Sequence, residues 1–508
     1  MNITPLDLAI FAAFFAVVLS FSFWKSRGGK GTAGYFLAGR NLPWWLIGVS
    51  VVAANLSTEQ FVGMAGQAAG RVGLAVSVWQ LTGIVGIVGV AWFFLPRFLR
   101  AGIYTMPEYL EYRYNSLARG IMSCLTVVIY VTVTTSAVLY SGATTLETLF
   151  GVELGWAVAI IAGVALAYVV WGGLLAAVWA DLFQGTALLV GGLITAWIGL
   201  RACGGWEAFV TANADRLHLI LPGDHPELPW TVLVGGIWIP IVYYCGLNQF
   251  IMQRTLAART LKEGQFGVIF AGALWLLVPL AVVLPGVMAH QLYGADLSRP
   301  DEAYPMLVRQ LIPSGLRGFI FAALAGAVIS TLASVLNSAS TIFTMDIYAR
   351  HLRRGASEVS LVRVGRWATV MFMGLAAGVA LSPVLKGGVF TFIQEFQGYI
   401  SPGIVAAFGF GFVVRRAPAM AGVAGLVLSA PVYGLLQWGF GEVPYLHRML
   451  WTLGVLVLVM AVLTWWRPLA DPKVLPVREE VESRTAPSVY VAGSLVLAAV
   501  LAAFLLFG

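Results

Sequence analysis

The residues whose types could do chemistry lie where an apolar chain should not have them. Ala53-Ala54-Asn55-Leu56-Ser57-Thr58-Glu59-Gln60 falls in the middle of a long apolar run and gathers amides, hydroxyls and a carboxylate. A charge at that depth in hydrocarbon costs about 2.5–3.5 kcal/mol on insertion scales, so Glu59 needs a partner or water. A second cluster is Ala327-Val328-Ile329-Ser330-Thr331-Leu332-Ala333-Ser334, continuing to Asn337, Ser338, Ser340 and Thr341. There, Ser330, Ser334 and Asn337 recur at helical spacing and share a face. Asp181 follows Gly172-Gly173 in a third run, and Gln394-Glu395-Phe396-Gln397 leads into a Ser401-Pro402-Gly403 bend in a fourth. Taken singly, such groups also serve as polar seams between helices, and Asp181 also suits a carboxylate snorkelling from a helix end.

Together they point to one chemistry. An interrupted membrane helix frees backbone carbonyls, and irregular backbone is tolerated at that depth only where it lines a cavity or a site. Carbonyls from one helix plus hydroxyls from another make an oxygen cage without net charge, which suits a hard monovalent cation. Zinc or copper would call for imidazole or thiolate. Cys124 and Cys245 lie inside apolar runs, Cys203 stands alone, and the five histidines fall in loops or at helix ends. Disulfide frameworks, CxxC metal sites and histidine proton relays are therefore not expected. The expectation is an alkali-cation site beside a polar solute site at mid-membrane.

The elements that must position these groups are membrane spans. Hydrophobic residues make up 59% of the 508-residue chain and charged residues 10%, against about 45–50% and 25% in soluble domains. Fourteen segments are long enough to cross: 4–24, 43–66, 73–96, 119–149, 154–171, 174–200, 230–253, 264–290, 317–347, 365–382, 388–413, 418–438, 447–466 and 488–507. The first, which carries Asp7 and no basic leader, reads as a retained helix rather than a signal peptide. Most of the 30 basic residues cluster in alternate loops: 25–40, 97–119, Arg254-Arg259-Lys262, 350–366, 415–416 and 467–484. The positive-inside rule makes those loops cytoplasmic and places both termini outside an inner (plasma) membrane. Between 291 and 316, Asp301, Glu302 and Tyr304 read as a short surface helix or lid. No contiguous basic face exists to neutralise phosphates, so nucleic acid is excluded as a partner. The expected partners are a small solute, an ion and membrane lipid, with no obligate protein partner evident.

The stretches 53–66, 104–115 (YTMPEYLEYRYN), 171–184 (WGGLLAAVWADLFQ), 248–260, 332–348 and 392–403 resemble the sodium/solute symporter family, in its sodium–glucose cotransporter branch. The resemblance implies an all-α polytopic fold: a LeuT-like inverted repeat of five plus five helices, with one helix before it and three after. The corresponding divisions are 1–41, 42–200, the outer loop 201–229, 230–414 and 415–508. It further implies a sodium site from the carbonyls of Ala53, Leu56 and Ala327 and the hydroxyls of Ser330 and Thr331, with Asp181 on the ion's exit path. Sodium would be cargo, not an enzymatic cofactor. Ala333 stands where members that couple a second sodium carry a hydroxyl, so one sodium per solute is expected; Ser334 and Asp181 are the candidates for a weaker second ion.

For the solute, the resemblance implies Gln60, Gln394 and Tyr244 as contacts, Asn55 holding the tyrosine hydroxyl, and an outer gate of Met64, Trp79 and Phe390. This chain departs from the sugar-binding pattern at Gln80 (for glutamate), Gly83 (serine), Thr134 and Ile241 (asparagines) and Trp275 (lysine). Losing the acid and the lysine removes two charge-assisted hydrogen bonds, each worth about 1.5–3 kcal/mol. The pocket becomes neutral and aromatic, suited to a sugar or polyol whose C–H faces stack while its hydroxyls meet amides. A non-sugar solute (amino acid, vitamin or monocarboxylate) is the alternative, and proton coupling through Asp181 or Glu59 is a variant. No nucleophile, base and metal assemble as an enzyme would require, and no appended sensor domain is evident.

Overall fold

The computed structural model describes residues 4–26, 40–56, 58–297, 299–382, 385, 389–476 and 484–508. Among them the chain is all helical, with one isolated bridge between Leu42 and Ala258. Hydrocarbon offers no water to backbone N–H and C=O groups, so a spanning segment must satisfy them internally. The principal helices, numbered here in chain order, are α1 (Pro5–Ser26), α2 (Trp44–Asn55), α3 (Glu59–Ala69), α4 (Gly73–Ala101), α5 (Ser116–Glu147) and α6 (Leu154–Ala202). They continue with α7 (Trp238–Val242), α8 (Gln249–Leu256), α9 (Leu261–Asp296), α10 (Leu316–Leu352), α11 (Glu358–Ala380), α12 (Val389–Gln397), α13 (Ser401–Val413), α14 (Ala419–Gly439), α15 (Tyr445–Trp466) and α16 (Pro487–Phe507).

Ten helices of the described residues are long and apolar enough to cross a membrane, or twelve if two bent pairs each count as a span. The pairs are α2 with α3, bent by 56°, and α12 with α13, bent by 44°. The two remaining segments of the fourteen expected, 154–171 and 230–253, differ from a simple span for physical reasons. The first is continuous in helical backbone with the next, because Gly172-Gly173 does not break the hydrogen-bond ladder of the 49-residue α6. A straight helix would separate Ile161 from Asp181 by about 30 Å. Yet a side chain on Gly142 would meet both Ile161 and Val328, while Asp181 bonds Ser330, two residues from Val328. The helix is therefore bent between Ile161 and Asp181, and its two arms flank α10. The second segment is broken at Asn248, whose φ of −82° and ψ of 122° are extended, between a π-turn (Tyr243–Leu247) and α8.

Two ties fix α10. At its start, the Asp7 carboxylate of α1 accepts from the amides of Gly315 (2.8 Å) and Gly318 (3.0 Å), first-turn donors that a helix leaves unpaired. At its far end, Asp346 accepts from Thr105 Oγ1 (2.9 Å) and Arg119 Nε (2.8 Å), while Arg119 and Arg350 both pair with Glu111. The short helix Met106–Arg113 is thereby clamped to the end of α10, and Gln249 Oε1 accepts from the Met106 amide at 2.8 Å.

Helices approach closely where glycine faces backbone, as expected where packing rather than hydrophobic exclusion drives association. A side chain on Gly286 of α9 would lie 2.3 Å from the Ala65 carbonyl oxygen of α3. Backbone cannot move aside without parting the helices. Gly286→Ala should therefore cost about 1–3 kcal/mol of stability, read as a lowered melting midpoint of the purified protein in detergent; an unchanged midpoint would refute the close contact.

Candidate functional site

The site begins at the break after α2. Leu56 leaves the helix with φ of −78° and ψ of 98°, and the chain resumes at Thr58 in a π-turn, Glu59–Met64. Ser57 lies outside the described residues. The last carbonyls of a helix lack intrahelical donors, and those of Ala53 and Leu56 belong to this end. Adjacent residues of α6 join the two helices of interest: Gly185 packs on Ala53 of α2, and Gln184 packs on Gly326 of α10, next to Ala327. On α10, Ser330 and Thr331 are buried, and Thr331 Oγ1 has no partner among the described residues. The five residues expected to hold a cation thus come from helices that meet along one stretch of α6.

Beside them is a charged cluster that the sequence did not reveal. Arg254, assigned above to a cytoplasmic loop, is wholly buried on α8. Its guanidinium lies 2.9 Å from Asp181 Oδ2, and both side chains are 0% exposed. The pair is fully enclosed by polar groups. Arg254 Nε donates to Ser50 Oγ and Nη1 to the Phe250 carbonyl, each at 2.6 Å, and Nη2 also donates to Ser334 Oγ. Ser50 and Ser330 donate their hydroxyl protons to Asp181. Asp181 is therefore not a snorkelling end group but half of a saturated buried ion pair. A hydroxyl that donates to a carboxylate keeps its lone pairs free, so Ser330 still offers oxygen to a cation.

The expected solute contacts share one cavity. Asn55, Gln60, Gln80, Thr134, Tyr244, Trp275 and Gln394 all line a space of about 80 Å³, together with Trp79, Phe390, Glu59 and Thr331. Asn55 Nδ2 donates to the Tyr244 hydroxyl at 2.9 Å, and the Tyr244 ring meets Phe250 edge-on at 5.6 Å. Gln80 Nε2 donates to Gln60 Oε1 at 2.9 Å and lies 3.4 Å from the Met64 sulfur, closing the space. That volume holds about two or three waters, whereas ligand pockets run to about 300–1,000 Å³. The chamber as it stands is smaller than such a ligand would need. Trp275 is 1% exposed, so it faces neither lipid nor solvent. Its indole lies 3.3 Å from where a side chain on Gly83 would begin, so glycine at 83 is what admits the larger ring. Three buried polar atoms on this wall have no partner among the described residues: Asn55 Oδ1, Trp275 Nε1 and Thr331 Oγ1. Buried orphans of this kind call for ordered water or a polar ligand.

Above the chamber is a vestibule of about 610 Å³. Trp79 and Phe390 line both spaces, their rings edge-to-face at 5.8 Å, and are the partition between them. Met64, the third expected gate residue, is buried against Gln80. The lid-like segment is a single turn, Pro300–Glu302, followed by a helix, Ala303–Leu311. Burial pushes the Asp301 carboxyl up, while a hydrogen bond from the Val389 amide, at the start of α12, opposes the shift. Residues missed from the sequence include Ser50, Arg254 and Phe250. Gln397, named there only as part of a polar cluster, also lines the chamber.

A small polar chamber walled by broken membrane helices, and divided from an open vestibule by two rings, has the anatomy of a carrier rather than a channel. Known proteins agree. A family model described as sodium:solute symporter matches residues 35–428. The chain is 38% identical over 489 residues to the sodium/glucose cotransporter of Vibrio parahaemolyticus, covering 90% of this chain and 89% of that one. It is 31% identical over 471 residues to sodium/glucose cotransporter 1 of Mus musculus, covering 83% and 70%. Its fold matches that of a substrate-bound, outward-open Na+-coupled sialic acid symporter with a TM-score of 0.85 at 21% identity, over 93% of this chain and 100% of that one. The chain belongs to the sodium:solute symporter family, whose members are transporters rather than enzymes and carry sodium with their solute.

Removing one partner of a buried ion pair leaves an uncompensated charge and costs about 3–5 kcal/mol. Asp181→Asn and Arg254→Gln should each lower the melting midpoint sharply, and the double variant should be less damaged than the two losses added together. Strict additivity in that cycle would show that the residues do not interact.

Proposed function

We propose that this chain is a sodium-coupled symporter of a small neutral sugar or polyol, moving one sodium per solute by alternating access. The observation that carries this is the chamber wall: amides from Asn55, Gln60, Gln80 and Gln394 beside the rings of Trp79, Tyr244, Trp275 and Phe390, with no lysine or arginine among the lining residues. Amides pair with hydroxyls, and rings stack on C–H faces. A carboxylate solute would find no counter-charge there and would face Glu59 instead. The names of the two curated relatives favour the same solute class.

Sodium would sit between the carbonyl end of α2, at Ala53 and Leu56, and Ala327, Ser330 and Thr331 of α10. Thr331 supports a direct coupling of ion and solute, because its unpartnered hydroxyl also faces the chamber. A second sodium is disfavoured on two counts. Ala333 offers no side-chain oxygen, and the guanidinium of Arg254 already occupies the space between Asp181 and Ser334. Asp181 would act at one remove, polarising the Ser330 hydroxyl as the ion passes. We further propose fourteen crossings of the inner (plasma) membrane with both termini outside, the vestibule opening outward. The parallel start of α1 and α10, tied through Asp7, supports that count. At about 2.3 kcal/mol per charge per 100 mV, one sodium would concentrate a neutral solute about 50-fold per 100 mV.

Uptake by the purified chain in proteoliposomes tests this reading. Sugars or polyols should accumulate only with a sodium gradient at fixed pH, carboxylates should not compete, and Thr331→Ala should raise the half-saturating sodium concentration at least tenfold. Uptake indifferent to sodium, or best competed by a carboxylate, would overturn it.

A further inference from the structure

The beginning of α11 carries a feature that transport does not use. Val359, Arg363, Trp367, Met371 and Leu375 recur at every fourth position, so they stand in line along one ridge. The four apolar members are 71%, 70%, 51% and 56% exposed in chain order. At the head of the ridge is a groove of about 410 Å³ lined by Glu358, Val359, Val362, Arg363 and Arg366. Arg353 and Arg354 lie exposed just before the helix, whereas Arg350 is taken up by Glu111. Glu358 is the one acid of the groove. Guanidiniums therefore cluster at one end of a helix whose outward face then runs apolar for three turns.

We propose that this groove binds the phosphate headgroup of an anionic phospholipid, with an acyl chain lying along Trp367, Met371 and Leu375. Charge decides the occupant. Guanidinium forks match phosphate oxygens with two parallel hydrogen bonds, and basic pockets at membrane helix ends hold anionic headgroups. The apolar ridge decides between a lipid and a free anion, since only a lipid supplies chain to cover Trp367 and the residues below it. Trp367 stands one turn from Arg363, at the level where indoles mark the membrane–water boundary. The proposal rests on membrane embedding alone and not on the identity of the ion or the solute.

The test is binding of fluorescent phosphatidylglycerol to the full chain in detergent. Binding should saturate and be displaced by unlabelled phosphatidylglycerol, but neither by phosphatidylcholine nor by inorganic phosphate at millimolar concentration. R363Q/R366Q should weaken it at least tenfold, and Trp367→Ala more modestly, with sodium-driven uptake retained in zwitterionic liposomes. Equal displacement by phosphatidylcholine would reduce the ridge to ordinary annular contact, displacement by phosphate would make it a soluble-anion site, and unweakened binding by the arginine variant would place the lipid elsewhere; each overturns the proposal. Competition on the unaltered protein decides the matter even if a variant does not fold.

Discussion

A backbone carbonyl or a charge inside hydrocarbon must find its partner within the protein, because no water is there to take its place. The interrupted stretch after α2 meets that demand with a cavity and with the hydroxyl face of α10. Arg254 and Asp181 meet it through Ser50, Ser334, Ser330 and the Phe250 carbonyl, so that neither charge is left bare. The start of α10 meets it with a carboxylate borrowed from α1. In each case at least one polar partner comes from a distant part of the chain. Satisfying local polar groups is thus also what binds the helices to one another.

This explains which features could be read from the sequence. A broken helix advertises itself, because Asn55, Thr58, Glu59 and Gln60 contradict the apolar run around them. Through resemblance the seven residues expected as solute contacts could be named one by one, and they line one chamber. Arg254 was not legible, since Arg-Thr-Leu-Ala-Ala-Arg resembles a basic loop and only the fold brings Asp181 to it. Ser50 carried no signal among valines. Hydropathy also averages over local breaks: 230–253 scans as one apolar run although Asn248 is extended, and Gly172-Gly173 scans as a boundary although the helical ladder continues.

The two sides of the chamber are closed by different physics. Toward the vestibule stands one aromatic pair, Trp79 and Phe390, a contact worth about 0.5–1.5 kcal/mol beyond its buried area. On the opposite side are the enclosed pair Arg254–Asp181 and the network of Arg119, Asp346, Glu111 and Arg350. Parting the Arg254–Asp181 pair would leave charges with no water to receive them, since both side chains are wholly buried, and uncompensated buried charges cost several kcal/mol each. A thin gate beside a thick one accords with a wide vestibule above a narrow chamber.

The asymmetry also constrains how any ion could drive transport. A ligand shifts a conformational equilibrium only by the difference in its affinity for the two states. A cation between α2 and α10 would join the helices that the thick side already holds together, so its binding favours the form with that side closed. Leaving, it would pass the Ser330 hydroxyl and the Asp181 carboxylate, where Arg254 already balances the charge. The guanidinium then has a physical role besides stability. It would keep the carboxylate from trapping the ion, so that the proposed path would be polar enough to admit a cation and too nearly neutral to retain one.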